Sequence, residues 1–369
     1  MEETSVPQTE GVAEKSKESS SEGSSSQSSR AWIRPVALVV AVLVLVLAGV
    51  KIFALQSTSA TSTNRSTPTP SSTQMSSSTP SPKEEKESEE PLVEAAQGFT
   101  QYSGSGEINI LLLGSDSRTT KGNVNAWSAG DARSDSIMLV QISPNRQHIT
   151  VMSFPRNMAA TIPGYGDTTL VNIAYERGGV PLSIQTIQEM TGVRIDYWVL
   201  TDFQAFMAMV DAVGGINLDS VQEGSRWYNG WDALKWVRQR KALPNGDIDR
   251  VRRHQAFMRA LHAKMLTPDA LASVGGVQGL YNLLKPYVAT NMGAGTAVDV
   301  AGVLASVPGG NITYVTMPYA NTVRDASGYY MLNPNWSQAA PLVQAFKQGK
   351  AWEYVQSHSL ETLNSRAIQ

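Results

Sequence analysis

Cysteine is absent from all 369 residues. That gap excludes disulfides, zinc–thiolate sites, thiol catalysis and iron–sulfur clusters. Histidine is scarce, and its four copies show no spacing typical of metal ligands. His148 falls in a predicted strand, while His262 and His358 have no acidic or imidazole partner at helical spacing. The chain has no nucleophile elbow, no GxxxxGK loop and no GxGxxG after a strand, which argues against nucleotide-driven chemistry. A formal net charge of −2 leaves no basic excess for a nucleic-acid partner. No repeat period is present.

What is there divides the chain sharply. Residues 1–30 are rich in Glu, Lys and Ser with almost no large apolar side chain, so residues 1–34 read as a disordered tail. Arg34 and Pro35 then give way to the unbroken apolar run Val36–Val50, extended past Lys51 by Ile52–Leu55. Residues 35–55 thus supply the roughly 20 apolar positions a transmembrane helix needs. A cleaved signal peptide would have a shorter apolar region and no polar leader of this length. Arg30 and Arg34 keep the N-terminal side cytoplasmic. Residues 56–100 are rich in Ser, Thr and Pro and carry the charge run Lys83-Glu84-Glu85-Lys86. As a flexible tether they would span on the order of 40 Å. Residues 101–369 are then an extracellular domain, long enough for a full core without disulfides.

Three apolar runs of strand length open that domain: Ile108–Leu113, Ile137–Ile142 and Ile149–Phe154. The last two flank Ser143-Pro144-Asn145-Arg146-Gln147, whose Pro-Asn marks a turn, so they form an antiparallel hairpin. Asp116 and Arg118 follow the first run, Arg133 and Asp135 precede the second, and Arg156 follows the third. With the first run parallel to the third, these five charges meet at one sheet edge. Two carboxylates among three guanidiniums suit a divalent cation held together with a phosphate. The same groups would also serve as ordinary loop salt bridges.

A helix over Ser183–Met190 ends at Gly192, a strand covers Ile195–Leu200, and Phe203, Phe206, Met207 and Val210 share a helical face. Further helices near 231–240, 249–266 and 278–288 and a strand over Ile312–Met317 complete the pattern. Alternation of this kind predicts a three-layer α/β domain, a central mixed β-sheet between helices. Arg238 and Arg240 end one helix, and Asp247 or Asp249 is placed to cap the next. On that next helix Arg250, Arg253, His254 and Phe257 share a face, while Arg252 and Arg259 point elsewhere, as a solvated basic face would.

Seven motifs stand in order over residues 106–267. They are Gly114-Ser115-Asp116-Ser117-Arg118, Arg133-Ser134-Asp135, Ser153-Phe154-Pro155-Arg156, and Asn172, Ala174 and Tyr175 with Gly178-Gly179. Phe203-x-x-Phe206 with Val210-Asp211 and Gly214-Gly215 comes next, then Gly230-x-x-Ala233-Leu234-x-Trp236-Val237-Arg238-x-Arg240, then Asp247-x-x-Arg250-x-x-Arg253. This series resembles the LytR-CpsA-Psr family of cell-wall phosphotransferases. The resemblance implies a membrane-anchored enzyme of a Gram-positive envelope. Such an enzyme moves a glycopolymer from a polyprenyl-pyrophosphate carrier to a wall acceptor, usually a peptidoglycan sugar hydroxyl, as a phosphodiester. It further implies that Arg118, Arg133, Arg156, Arg238, Arg240 and Arg250 hold the pyrophosphate and that Asp116 and Asp135 bind Mg²⁺. Asp247 would orient an arginine or act as base. A greasy tunnel for the polyprenyl tail would be lined by helices such as Phe203–Val210 and Phe257–Leu266.

Three positions depart from the family pattern: Asn157 where Asp is common, His254 where Gln is frequent, and Trp236 for Tyr. Residues 268–369 match it only loosely. Two other functions use the same features: a protein acceptor or water with the same donor, and a non-catalytic lipid-binding envelope regulator.

The anchor reading makes a direct prediction. Protease added to intact protoplasts releases a fragment beginning within residues 56–100 and leaves the N-terminal tail protected. Full-length chain recovered from the cytosolic fraction would contradict it.

Overall fold

The structure, a computed structural model, describes residues 106–116, 130, 132–265, 267, 288–324 and 328–369. The predicted tail, anchor and tether, Arg118, and the helix predicted over 278–288 up to Pro286 and Tyr287 lie outside them. Among the described residues no helix is long and apolar enough to cross a membrane.

The chain begins with β1 (Ile108–Ser115), β2 (Ser134–Ile142), β3 (Ile149–Phe154), β4 (Ala159–Thr161) and β5 (Thr168–Leu170). Next come α1 (Ile173–Thr191), β6 (Tyr197–Thr201), α2 (Phe203–Ala212), β7 (Ile216–Ser220), β8 (Gly224–Tyr228), α3 (Gly230–Arg238) and α4 (Asp247–Met265). It continues through β9 (Val288–Thr290), α5 (Ala294–Ser306), β10 (Ile312–Thr316), β11 (Tyr319–Arg324) and β12 (Tyr330–Pro334). Helices α6 (Trp336–Lys347) and α7 (Ala351–Ser357) follow.

One mixed sheet runs in the order β10-β3-β2-β1-β6-β9. Strand β2 lies antiparallel to both β1 and β3, so β1 and β3 point the same way and their C-terminal ends share an edge, as predicted. Side chains alternate between two cores. Ile110, Met138, Val140, Val151 and Val199 face α2, α3 and α4, whereas Leu111, Leu139, Met152, Trp198 and Leu200 face α1, α6 and α7. A sheet covered on both faces reads as continuous apolar runs, and that is why β1 to β3 stand out in the sequence. The three-layer α/β arrangement with a mixed central sheet is present.

Several predicted boundaries moved. Helix α1 begins at Ile173, ten residues ahead of the apolar pattern at Ser183, because a kink at Gly178 and Gly179 joins two helical pieces. It ends at Gly192 as expected, in the left-handed region (φ 66°) with its N–H donated to the Gln188 carbonyl. His148 lies in the turn before β3, stacked on Trp352 with 3.7 Å between ring centroids. Val288 opens a strand instead of closing a helix.

Helices α2 and α3 run antiparallel and close together. The Gly230 N–H donates to Asp211 Oδ1 (2.7 Å) at one end, and Arg238 lies over the Phe203 ring (4.3 Å) at the other. A Cβ at Gly230 would stand 2.4 Å from the Met207 carbonyl oxygen and 2.8 Å from its Cα, and neither atom can move without moving α2. Gly230→Ala is therefore expected to cost about 1–3 kcal/mol. Gly302→Ala, inside α5 with nothing within 4 Å of the added methyl, should instead stabilise by about 0.5–1 kcal/mol. Urea denaturation of both variants checks the opposite signs.

Candidate active site

Strands β1 and β2 pair regularly until their shared end, where the register shifts: Gly114 faces Ser136 but Ser115 faces Ser134. Asp135 is the extra residue of this bulge, and bulges re-aim side chains. Its carboxylate receives Arg156 Nη1 from the end of β3 (2.8 Å) and Arg250 Nη1 from α4 (3.1 Å). Asp247, the first residue of α4, faces the same guanidiniums: Arg250 Nη2 at 3.0 Å, Arg156 Nε at 3.4 Å and Arg240 Nη1 at 3.7 Å. Residues from four separate segments thus form one alternating cluster.

The electrostatics follow from burial and partners. Burial acts to raise the Asp135 carboxyl, but Arg250 and Arg156 together hold it below the usual carboxylate range. Burial dominates at Arg250 and lowers it, against the pull of Asp135 and Asp247. The Arg250 side chain is only 4% exposed, so its charge exists there because two carboxylates face it. Its pairing with Asp247 is close but out of line. Among the described residues, Asp247 Oδ1 and Arg250 Nε and Nη2 are buried without a hydrogen-bond partner.

Arg238 differs. It is exposed at the end of α3, stacked on Phe203, and has no carboxylate partner among the described residues. Arg240 lies beyond the helix, whose last residue is Arg238. At the neighbouring strand ends Asp116 Oδ1 receives the Arg133 N–H (2.7 Å), and the Arg133 side chain pairs with Glu176 and reaches the Tyr329 phenol. Behind them the buried Tyr175 hydroxyl bonds Ser115, and burial pushes it up to about 12.

The cluster opens into a groove of about 1150 Å³, including solvent at its mouth. Asp135, Arg238 and Arg250 lie at the polar end, while Phe203, Phe206, Met209, Phe257, Met258 and Leu261 line the remainder. Both helices expected to line an apolar tunnel do so. His254 marks the transition between the two parts. Burial foremost, then Arg250, lowers its imidazole to about 4, so it is neutral at physiological pH. Its Nε2 donates to the Val237 carbonyl (3.0 Å).

Other expectations fail for clear reasons. Neither Asp247 nor Asp249 precedes α4 as a cap: the helix starts at Asp247 itself, and the buried Asp249 carboxylate receives the Asn245 N–H (2.8 Å). Arg253 does not join the cluster. It is fully buried, donating to the Trp236 carbonyl (3.0 Å), Gln239 Oε1 (2.7 Å) and the Gln369 carbonyl (2.6 Å). Arg252 is no solvated cation either, since it is buried against the carbonyls of Thr362 (3.1 Å), Leu363 (3.0 Å) and Arg366. Glu176, Tyr329 and His254 are site neighbours that the sequence reading did not assign. Glu176 had one signal, its position directly after the Tyr175 motif.

The acidic donors fit a divalent cation only in part. No group of three or more acidic or imidazole side chains gathers among the described residues. Among the described residues Asp116 keeps one oxygen uncommitted, and each Asp135 oxygen retains a lone pair beyond its guanidinium contact. Such a pair suits Mg²⁺, which binds through one or two carboxylates and completes its shell with phosphate oxygens and water.

Guanidiniums and half-buried carboxylates thus stand at the mouth of an apolar groove. The chain belongs to the LytR_cpsA_psr family, whose model matches residues 66–342. It is 32% identical over 185 residues to the polyisoprenyl-teichoic acid–peptidoglycan teichoic acid transferase TagU of Bacillus mycoides strain KBAB4, covering 47% of this chain and 58% of that protein. It is 30% identical over 236 residues to the regulatory protein MsrR of Staphylococcus aureus strain COL, covering 60% and 68%. The fold is similar to that of TagT bound to LI-WTA (TM-score 0.55, 21% identity, 69% of this chain and 94% of that one).

Buried Arg250 and exposed Arg238 separate structure from function. Arg250→Ala takes one guanidinium from two half-buried carboxylates that keep Arg156, and should cost about 1.5–3 kcal/mol. Exposed Arg238→Ala should stay within about 0.5 kcal/mol of the parent. The stability contributed by Asp135 is present above its unfolded value of 3.8 and disappears as pH falls through its lower folded value. Asp135→Asn should therefore flatten the acid limb of the stability curve below about pH 4. Melting curves between pH 2 and 7 check all three.

Proposed function

We propose that this chain is an anchored extracellular transferase. It moves a glycopolymer from a polyprenyl-pyrophosphate carrier onto a sugar hydroxyl of peptidoglycan, as a phosphodiester. The observation that carries this reading is the continuity of the arginine cluster with the apolar groove. A pyrophosphate needs guanidinium forks, a polyprenyl tail needs an apolar channel, and here the two meet at Asp135, Arg238 and Arg250. That TagU is a teichoic acid transferase and that TagT binds LI-WTA support the same substrate class.

The acceptor hydroxyl attacks the glycopolymer-bearing phosphorus. The new O–P bond forms as the bridging O–P bond breaks, and polyprenyl phosphate leaves, taking up the proton of the acceptor hydroxyl. Phosphoryl transfer of this kind depends on positioning and charge stabilisation. Arg156, Arg240 and Arg250 are held in place by Asp135 and Asp247 for that purpose, and Arg238, stacked on Phe203 with no carboxylate partner among the described residues, is left to meet the anion. Arg133 stands beside them on its Glu176 partner, and Arg118 belongs to the same set by its motif. Asp247 faces three guanidiniums, which favours orientation over proton abstraction. Asp116 and Asp135 would hold Mg²⁺, which neutralises phosphate charge when bound. The apolar run over residues 35–55 would keep the domain near its lipid substrate.

A second reading has one specific support, the name of MsrR: a regulator that binds the lipid without reacting. Asp116→Asn discriminates, because Asn can still accept the Arg133 N–H through its Oδ1. It should abolish transfer from a synthetic lipid-linked sugar pyrophosphate and abolish Mg²⁺ binding by calorimetry, with little change in melting temperature. Arg238→Lys should lose about 1.5–3 kcal/mol of transition-state binding, since an ammonium cannot replace the planar fork. Absence of any transfer or hydrolysis by the parent chain would favour the regulator.

A further inference from the structure

Around Arg133 and Asn157, outside the lining of the groove, the surface changes character. The β11–β12 hairpin packs through Val323 and Met331 onto Ala159, Leu170 and Ile173. It is tied to the residue after Arg156 by the Leu332 N–H, donated to the Asn157 carbonyl (2.8 Å). This fixes Tyr329 and Tyr330 beside the cluster. Tyr329 reaches Arg133. The Tyr330 carbonyl receives Asn157 Nδ2 (3.5 Å), and Arg324 covers its ring at 3.9 Å. One residue past the Glu176 partner of Arg133, Arg177 lies over the Tyr165 ring (4.5 Å).

These three rings are 48%, 58% and 53% exposed. Apolar residues scattered singly over a surface need no explanation, but Tyr329 and Tyr330 stand side by side on a hairpin tied to Arg133 and Asn157, and Tyr165 is held by the Arg177 that follows Glu176. Arg324 covers the Tyr330 ring and donates to its hydroxyl, and Arg177 covers the Tyr165 ring, whose hydroxyl donates to the Arg177 carbonyl (3.4 Å). The amides of Asn321 and Asn333 stand exposed on the same hairpin, bonded to each other at 3.2 Å.

We propose that this rim, Tyr329 and Tyr330 flanked by Tyr165, is the subsite for the acceptor glycan strand; the inference rests on the transfer reading above. A sugar ring offers an apolar C–H face and an edge of hydroxyls. Tyrosine answers both with a flat ring and a phenol, at little cost in conformational entropy. A polyprenyl tail would find too many polar groups here. A polyanionic glycopolymer would find Arg177 already neutralised through two contacts with Asp167 (2.7 and 2.9 Å). An uncharged strand on the rim would bring its hydroxyl to the cluster beside Arg133 and Arg156.

The test uses the full chain in detergent, a synthetic lipid-linked sugar pyrophosphate as donor, and a soluble peptidoglycan glycan fragment as acceptor. Two rates are followed, transfer to the fragment and release of lipid phosphate to water. Tyr330→Ala and Tyr165→Ala should each raise the acceptor KM about five-fold to ten-fold. Donor hydrolysis and melting temperature should stay unchanged, and Tyr330→Phe, which keeps the ring, should restore most of the loss. Unchanged acceptor KM in both alanine variants, with transfer intact, overturns the rim while leaving the transfer reading in place. Hydrolysis without transfer by the parent chain removes the acceptor and the rim together. Loss of both rates in the variants would show that the rim serves the cluster and not the acceptor.

Discussion

The contact on which this site depends is the pairing of Asp135 with Arg156 and Arg250. It joins the bulged end of β2 to the end of β3 and to a helix that starts more than 100 residues later. Burying Arg250 would be prohibitive without facing carboxylates. Only a bulge between Gly114 and Ser115 on the partner strand turns Asp135 toward it. The groove depends on the same contact, because the helix that supplies Arg250 also supplies His254, Phe257 and Leu261 along its inner side. Charge at the first turn and apolar lining after it are two parts of one helical face.

Much of this was legible in the sequence. The strands stood out because both faces of the sheet are covered, leaving no polar alternation to dilute the apolar runs. Opposed directions for β2 followed from a turn signal at Pro144-Asn145. Placing Asp116, Arg133, Asp135 and Arg156 at one edge needed only those directions. Helical spacing likewise brought Arg250, His254 and Phe257 to a common side.

What the sequence hid was partnership at long range. Arg252 and Arg253 look like Arg250 in composition, yet both are buried against residues 361–369 and α3, and no local pattern announces carbonyl acceptors so far away. Arg253 follows Arg250 by three residues and was grouped with it, but its turn of the helix faces Trp236 and not the cluster. The bulge at Asp135 was also invisible, since nothing in Arg133-Ser134-Asp135-Ser136 marks an unpaired position. Glu176 and Tyr329 became neighbours of Arg133 only through the packing of α1 and the β11–β12 hairpin.

The central claim is that one site grips an isoprenoid phosphate by its head with arginines and by its tail with the α2–α4 groove. Native mass spectrometry of the full chain, extracted from expressing cells in mild detergent, tests this most directly. The account predicts a bound polyprenyl phosphate or pyrophosphate on the parent chain, retained on an exposed-surface control and lost when Phe206 or Phe257 is replaced by Asp in a folded variant. Uniformly lipid-free protein from every preparation, with no uptake of added polyprenyl phosphate, would contradict it.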